Sequence, residues 1–354
     1  MTADRWARVE DLFDRAADLP RADRAAFLDA ACRDADGTPD RALREEADRM
    51  LALDTGADGF FHDLTGGGLG VPEDPLAGVP ERVGPWRLVC EVGKGGMGTV
   101  YLAERDDGTF AQRAAVKLAK RSGDETAALF AHEARLLQRL PTPAVAHLLD
   151  AGESADGRAY LALERIEGRS VSAVARDQTA WERLLLLWRV CRAVGGLHQQ
   201  EVVHGDLKPD HLVLRPDGTV VVLDLGLARD LRDPAAPASG RRLGLTPEFA
   251  APEQILGEPV GTAADVYALG LVIREVLEGC RTHVPWAVGG ETDAEIDLSE
   301  AAPGASGALI GRYVGEVLRT ALQTDPARRY PTAGALARAL DDVLDAVAEA
   351  PRLA

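Results

Sequence analysis

Three stretches of the chain place glycine, lysine and glutamate where they could together handle phosphate. The segment EVGKGGMGTVYLA at Glu91–Ala103 sets Gly93, Gly95 and Gly98 in a GxGxxG spacing. Such a loop can turn its backbone N–H groups toward an anion. In dinucleotide-binding folds the same spacing opens a helix. Here it is followed by Thr99, Val100 and Tyr101, which are β-branched or aromatic. The loop is therefore expected to join two antiparallel strands and fold over phosphates, with an ordinary Gly-rich hairpin as the bland alternative. In RAAVKLAK, strand alternation puts Ala115, Lys117 and Ala119 on one face and Val116 and Leu118 on the other. A lysine between alanines leaves room for a flat ligand and supplies a cation for its phosphates. A helix is expected over 124–140, closed by Pro141, with an apolar stripe through Leu129, Leu136, Leu137 and Leu140. Glu133 falls on that stripe. A carboxylate on a buried face needs a partner, and Lys117 is the obvious one.

Lysine is scarce, with four (Lys94, Lys117, Lys120, Lys208) against 36 arginines. A chain that uses arginine so freely should keep lysine mainly where a compact point charge matters. Lys208 lies in VVHGDLKPDHLVL (202–214), which is followed by VVVLDLGLAR (220–229), TPEFAAPEQ (246–254), ADVYALG (264–270) and DPARRY (325–330). In this order and at these intervals, the segments resemble the catalytic loop, metal-binding segment, activation-segment end, central large-lobe helix and closing motif of eukaryotic-like serine/threonine protein kinases of bacteria. The likeness covers about 260 residues.

The resemblance implies a set of roles. Gly93, Lys94, Gly95, Gly96, Met97, Gly98, Thr99 and Val100 would cover the phosphates of ATP. Lys117, held by Glu133, would grip the α- and β-phosphates. Backbone groups near Glu164 and Ile166, just after Leu163, would bind adenine, with Val92, Val100, Ala115 and Val213 around its ring. Asp206 would accept the proton of the attacking hydroxyl, and Lys208 would neutralise the γ-phosphate. Asp224 would chelate Mg²⁺, and Arg329 would pair with Glu253.

The chain departs from the family pattern at four places. Leu225 stands for phenylalanine after Asp224. Gly205 stands for an arginine that would receive an activation-loop phosphate, so activity without that switch is expected. Between Asp224 and Glu253 the hydroxyl residues are Ser239 and Thr246, of which Thr246 matches a threonine that positions substrate. Leu245 replaces a glycine just before it. His211 replaces the asparagine that helps hold a second metal. An imidazole nitrogen in place of an amide oxygen suits Mn²⁺ better than Mg²⁺, with Asp210 beside it as an alternative ligand. An imidazole of ordinary pKa protonates below about pH 6.5, so activity is expected to fall there. The competing reading is a nucleotide-binding pseudokinase that acts as a scaffold or allosteric regulator.

The positioning elements follow the same order. Strand-like WRLVCEV, TVYLAE, QRAAVKLA, AHLLDAGE and AYLALERI precede a helix at 181–199, and beyond Asp206 the pattern is mostly helical, broken by loop at 235–252. Strands first and helices after imply an α+β fold of two lobes. A small β-rich N-lobe is expected over 83–167 and a larger helical C-lobe over 168–354. Ahead of them lie an all-α module of three short helices (1–55) and a Gly/Pro-rich linker (56–82). The helices centre on Trp6–Ala16, on Phe27 and Leu28, and on Leu43, Ala47, Met50 and Leu51.

The chain has 354 residues, 46% hydrophobic and 27% charged, and a net charge of −17, of which −9 lies in residues 1–82. That balance suits a globular protein and argues against nucleic acid or an anionic membrane as partner. Cys32, Cys90, Cys191 and Cys280 have no metal-ligand spacing and are expected to be reduced thiols. No run approaches the ~18 apolar residues of a membrane span, so a cytoplasmic protein is expected. Its partners would be ATP, a protein substrate that the sequence does not name and, as an open alternative, a second copy in a homodimer.

Overall fold

The computed structural model describes residues 12, 21–32, 40, 41, 43, 44, 79–95, 97–140, 143–233, 246–278 and 305–349. Near the N-terminus, helix α1 (Arg21–Ala31) buries Leu28, matching the second expected helix. Leu43 is buried, and its N–H bonds the Asp40 carboxylate at 2.9 Å. The remainder of the first and third expected helices, most of the linker, Pro141, Ser239 and Leu245 lie outside the described residues.

Period-2 burial then builds the first lobe. Strands β1 (Arg82–Val83), β2 (Trp86–Lys94), β3 (Gly98–Arg105), β4 (Arg113–Ala119), β5 (Leu148–Glu153) and β6 (Ala159–Glu164) form one sheet in the order β1-β2-β3-β4-β6-β5. All its pairings are antiparallel. One face packs Trp86, Leu88, Tyr101, Val116, Leu118 and Tyr160 into a core. Strand β5 starts at Leu148, two residues after the expected Ala146, and Ala146 instead lines the floor beneath the sheet. Helix α2 (Asp124–Arg139) lies against the sheet through Phe130 and Ala134, while its Leu136 and Leu137 join the core of the second lobe. Leu129, placed on its apolar stripe from sequence, is only half-buried, and Phe130 fills the core in its stead.

After the short strand β7 (Arg169–Ser170) and helix α3 (Val171–Ala175), the second lobe is organised by α4 (Ala180–Gln199). Thr179 and Glu182 cap its start reciprocally, a device that satisfies two orphan N–H groups. The described region after Asp206 is mostly helical, as expected, but three short strands there, with a fourth just before it, carry the segments around 202–214 and 220–229. Strand β9 (Leu212–Leu214) pairs with β10 (Val220–Val222) and with β7, and β11 (Arg229–Asp230) pairs with β8 (Val202–Val203). Strands of two or three residues are too short for periodicity to separate from helix.

Helices α5 (Pro252–Leu256), α6 (Thr262–Glu278), α7 (Ala305–Ala321) and α8 (Ala333–Glu349) complete the lobe. Helix α6 is buried nearly all round, as a central core helix must be. A Cβ at Gly195 would lie 3.0 Å from the Gly334 backbone nitrogen, so α4 and α8 approach closely only through glycine. No described helix is long and apolar enough to cross a membrane.

Candidate functional site

The site lies between the lobes, in a cleft enclosing about 660 Å³, part of it open to solvent. Its walls are chiefly apolar, which suits a flat ring. Val100, Ala115, Lys117, Glu133, Glu164, Ile166 and Asp224, all expected from sequence, line it. Leu137, Ala146, Val222, Leu223 and Leu225 line it too and were not anticipated in that role. Val213 sits in the floor cluster with Ala146 and Ile166, and Val92 is buried in β2.

The glycine-rich turn hangs over this cleft. Gly93 pairs with Val100 across the hairpin, and the Gly95 N–H bonds the Gly98 carbonyl at 2.9 Å. A Cβ on Gly98 would stand 2.8 Å from the Leu118 carbonyl oxygen, which accounts physically for the third glycine. Thr99 is buried. The Met97 sulfur reaches inward, 3.3 Å from where a Cβ on Gly226 would be. Lys94 points outward and pairs with Glu91 at 3.0 Å. Gly96 lies outside the described residues.

At the centre, Lys117 Nζ meets Glu133 Oε2 at 2.9 Å and Asp224 Oδ1 at 2.6 Å. Burial disfavours the ammonium, but the two carboxylates outweigh it and hold the Lys117 pKa above the ordinary lysine value. Burial likewise works against the Asp224 charge, yet Lys117 and the neighbouring histidines keep that carboxyl well below the usual range. Glu133 shares the same cation at longer range, and burial pushes its carboxyl upward. Asp224 has φ of +60°, a left-handed conformation that costs a non-glycine residue free energy. The conformation turns its carboxylate toward Lys117 and the Gly226 N–H. Leu225, next in sequence, is buried in the same core cluster as Leu136 and Leu137 of α2, at the position where the family has phenylalanine.

The loop after β8 is anchored from below. The Asp265 carboxylate accepts the N–H groups of His204 and Gly205 at 2.7 and 2.9 Å, and His198 donates to it at 2.9 Å. Gly205 has φ of +79°. The Asp206 carboxylate accepts the Thr246 N–H at 2.9 Å, and Lys208 Nζ bonds the Thr246 hydroxyl at 3.1 Å. Arg329 and Glu253 form the expected buried pair as a fork, with N–O distances of 2.7 and 2.8 Å.

His211 Nδ1 donates to the Asp206 carbonyl at 2.7 Å, which makes Nε2 the acceptor nitrogen, 3.8 Å from Asp224 Oδ2. Burial pushes this imidazole down to about 4 against the pull of Asp206 and Asp224. The premise of an imidazole of ordinary pKa, on which the expected loss of activity below pH 6.5 rests, is thereby corrected: burial favours the neutral ring well under that value. Among the described residues, no group of three or more His, Cys, Asp and Glu is arranged to hold a metal. Nucleotide-bound metals usually share one or two carboxylates with phosphate oxygens and water; Asp224 is such a carboxylate, and the His211 imidazole beside it departs from an all-oxygen set.

The comparisons with known proteins agree with this geometry. The family model described as "Protein kinase domain" matches residues 86–337. The chain is 32% identical over 278 residues to the serine/threonine-protein kinase pkn2 of Myxococcus xanthus, covering 73% of this chain and 32% of that protein. Against Pkn1 of the same organism the identity is 33% over 282 residues, with coverage of 77% and 40%. Against PknD of Mycobacterium tuberculosis it is 30% over 280 residues, with coverage of 77% and 41%. The chain thus spans less than half the length of these three relatives. Among solved structures, the Mycobacterium tuberculosis PknI kinase domain matches with a TM-score of 0.56 and 25% identity, covering 74% of this chain and 97% of that one.

Proposed function

The chain belongs to the protein kinase family, and from that premise we propose that it transfers the γ-phosphate of ATP to serine or threonine hydroxyls of a protein substrate and of itself. The observation that carries this reading is the set of charged contacts assembled around the cleft. Lys117 is already engaged by Glu133, while Asp206 and Lys208 converge on Thr246 at the mouth. Phosphoryl transfer asks little covalent chemistry of the protein, so positioning and electrostatics supply most of the acceleration.

In this reading adenine lies between Val92, Val100 and Ala115 above and Val213 below, against the backbone at Glu164 and Ile166. The backbone of residues 93–100 covers the phosphates, and Lys117 turns from Asp224 to the α- and β-phosphates as they arrive. Asp206 orients the acceptor hydroxyl and takes its proton. Lys208 offsets charge at the γ-phosphate. Asp224 and His211 Nε2 would hold the divalent cation, which when bound neutralises charge on the phosphate oxygens. An imidazole ligand favours Mn²⁺ over Mg²⁺. The acceptor is a protein of unassigned identity, the compartment proposed is the cytoplasm, and a homodimer is an outcome to be scored by mass.

Two variants test the assignment of roles. Lys117→Met should weaken stabilisation of the protein by ATP in thermal unfolding, whereas Asp206→Asn should retain it and lose transfer. Full transfer by Asp206→Asn would overturn the assignment. Nucleotide binding by the wild type without transfer to itself or to its cognate partner would favour the pseudokinase reading.

A further inference from the structure

The Lys117–Glu133 pair depends on where α2 stands, and two α2 side chains that the phosphotransfer roles leave unused bond the segment after Asp224. His132 and Arg139 are seven residues apart, two helical turns, and so share the face of α2 next to the one bearing Glu133. His132 is buried, and its Nε2–H donates to the Ala228 carbonyl at 2.9 Å. Arg139, the last residue of α2, forms an ion pair with Asp230 of β11, and its Nη2 donates to the Gln200 carbonyl at 3.2 Å. Arg232 reaches the same carbonyl at 2.8 Å and pairs with Glu201. Glu201 holds φ of +57°, uncommon for a side-chain-bearing residue, at the turn that presents this carbonyl. The segment after Asp224 is thus buckled to α2 at one end and to the α4–β8 turn at the other. Gly205 has no side chain with which to add to this tie.

We propose that His132 and the Arg139–Asp230 pair are positioning residues, a buckle that locks α2 in the register where Glu133 meets Lys117 without any modification of the chain. This inference rests on the phosphotransfer reading for its consequence, though not for its geometry. All the contacts come from unmodified side chains. Two of them bond backbone carbonyls directly downstream of Asp224 or at the turn preceding the catalytic loop. Loosening the buckle should therefore slow turnover more than it weakens binding of the protein substrate.

The test uses the full chain after treatment with a broad-specificity phosphatase. Arg139→Asp and Asp230→Arg should each lower kcat about 10-fold or more with KM for the protein substrate changed less than about 3-fold. The swap carrying both should recover most of the rate. His132→Gln, which keeps an N–H donor, should exceed His132→Leu in rate at equal thermal stability. Hydrogen exchange across residues 124–139 is read in parallel without turnover. Exchange should rise in each single charge variant and fall back in the swap. Unchanged exchange and rate in the single variants would overturn the proposal, as would a folded swap that recovers neither. If the wild type transfers no phosphate at all, the phosphotransfer reading fails, while the exchange data still judge the buckle. If the charge variants do not fold, the His132 pair decides: equal rates for Gln and Leu refute it.

Discussion

Removing the His211 imidazole should change how the fold depends on pH, and the size of the effect follows from its burial. The side chain is 5% exposed, and its pKa falls from 6.5 to about 4. Above pH 6.5 neither the folded nor the unfolded chain protonates this ring, so the ring contributes no pH dependence. As pH falls below 6.5 the unfolded chain takes up the proton first, and the folded state loses ground until its own ring protonates near 4. At pH 5 this linkage destabilises the fold by about 2 kcal/mol, approaching about 3 kcal/mol in stronger acid. Asparagine does not titrate, so His211→Asn should lack this component. The assay is urea unfolding of nucleotide-free wild type and variant in chelator at pH 7.5, 6.5, 5.5 and 5. The stability difference between the two proteins should move by about 2 kcal/mol in favour of the variant between the first and last conditions. A difference constant to within about 0.5 kcal/mol would refute the claim that the ring is held neutral by burial.

Two further outcomes follow from the same geometry. Arg329→Leu leaves Glu253 buried beneath α6 without its fork, which should cost about 3–5 kcal/mol in chemical denaturation, whereas Arg329→Leu with Glu253→Leu should cost clearly less. Activity assays across metal concentrations should find wild type favouring Mn²⁺, and His211→Asn should raise Mg²⁺-dependent transfer relative to it; an unchanged metal preference would remove His211 from the cation site.

Much of the site was legible in the chain because its chemistry is local. The glycine spacing, the alternation around Lys117, and Glu133 on an apolar helix face each carry their own signal, and the structure brings the last two together at 2.9 Å. The Arg329–Glu253 fork was readable only through resemblance, since 76 residues separate the partners. Other features gave no such signal. The pocket floor at Ala146, Val222 and Leu223 comes from short apolar stretches that look like any core segment. The buckle through His132 and Arg139 joins residues more than 90 positions apart. Strands β8 to β11 contain two or three residues each, below the length at which alternation can be seen. The depressed His211 pKa could not be read either, because burial is a property of the assembled loop.

The central claim is that this cleft transfers phosphate from ATP to aliphatic hydroxyls. It is tested most directly by incubating the purified chain with γ-radiolabelled ATP, Mg²⁺ or Mn²⁺ and its cognate protein partner, then hydrolysing the products to amino acids. The wild type should yield labelled phosphoserine or phosphothreonine, with Asp206→Asn yielding neither. Label confined to phosphotyrosine, equal label with Asp206→Asn, or no label under either metal would contradict the account.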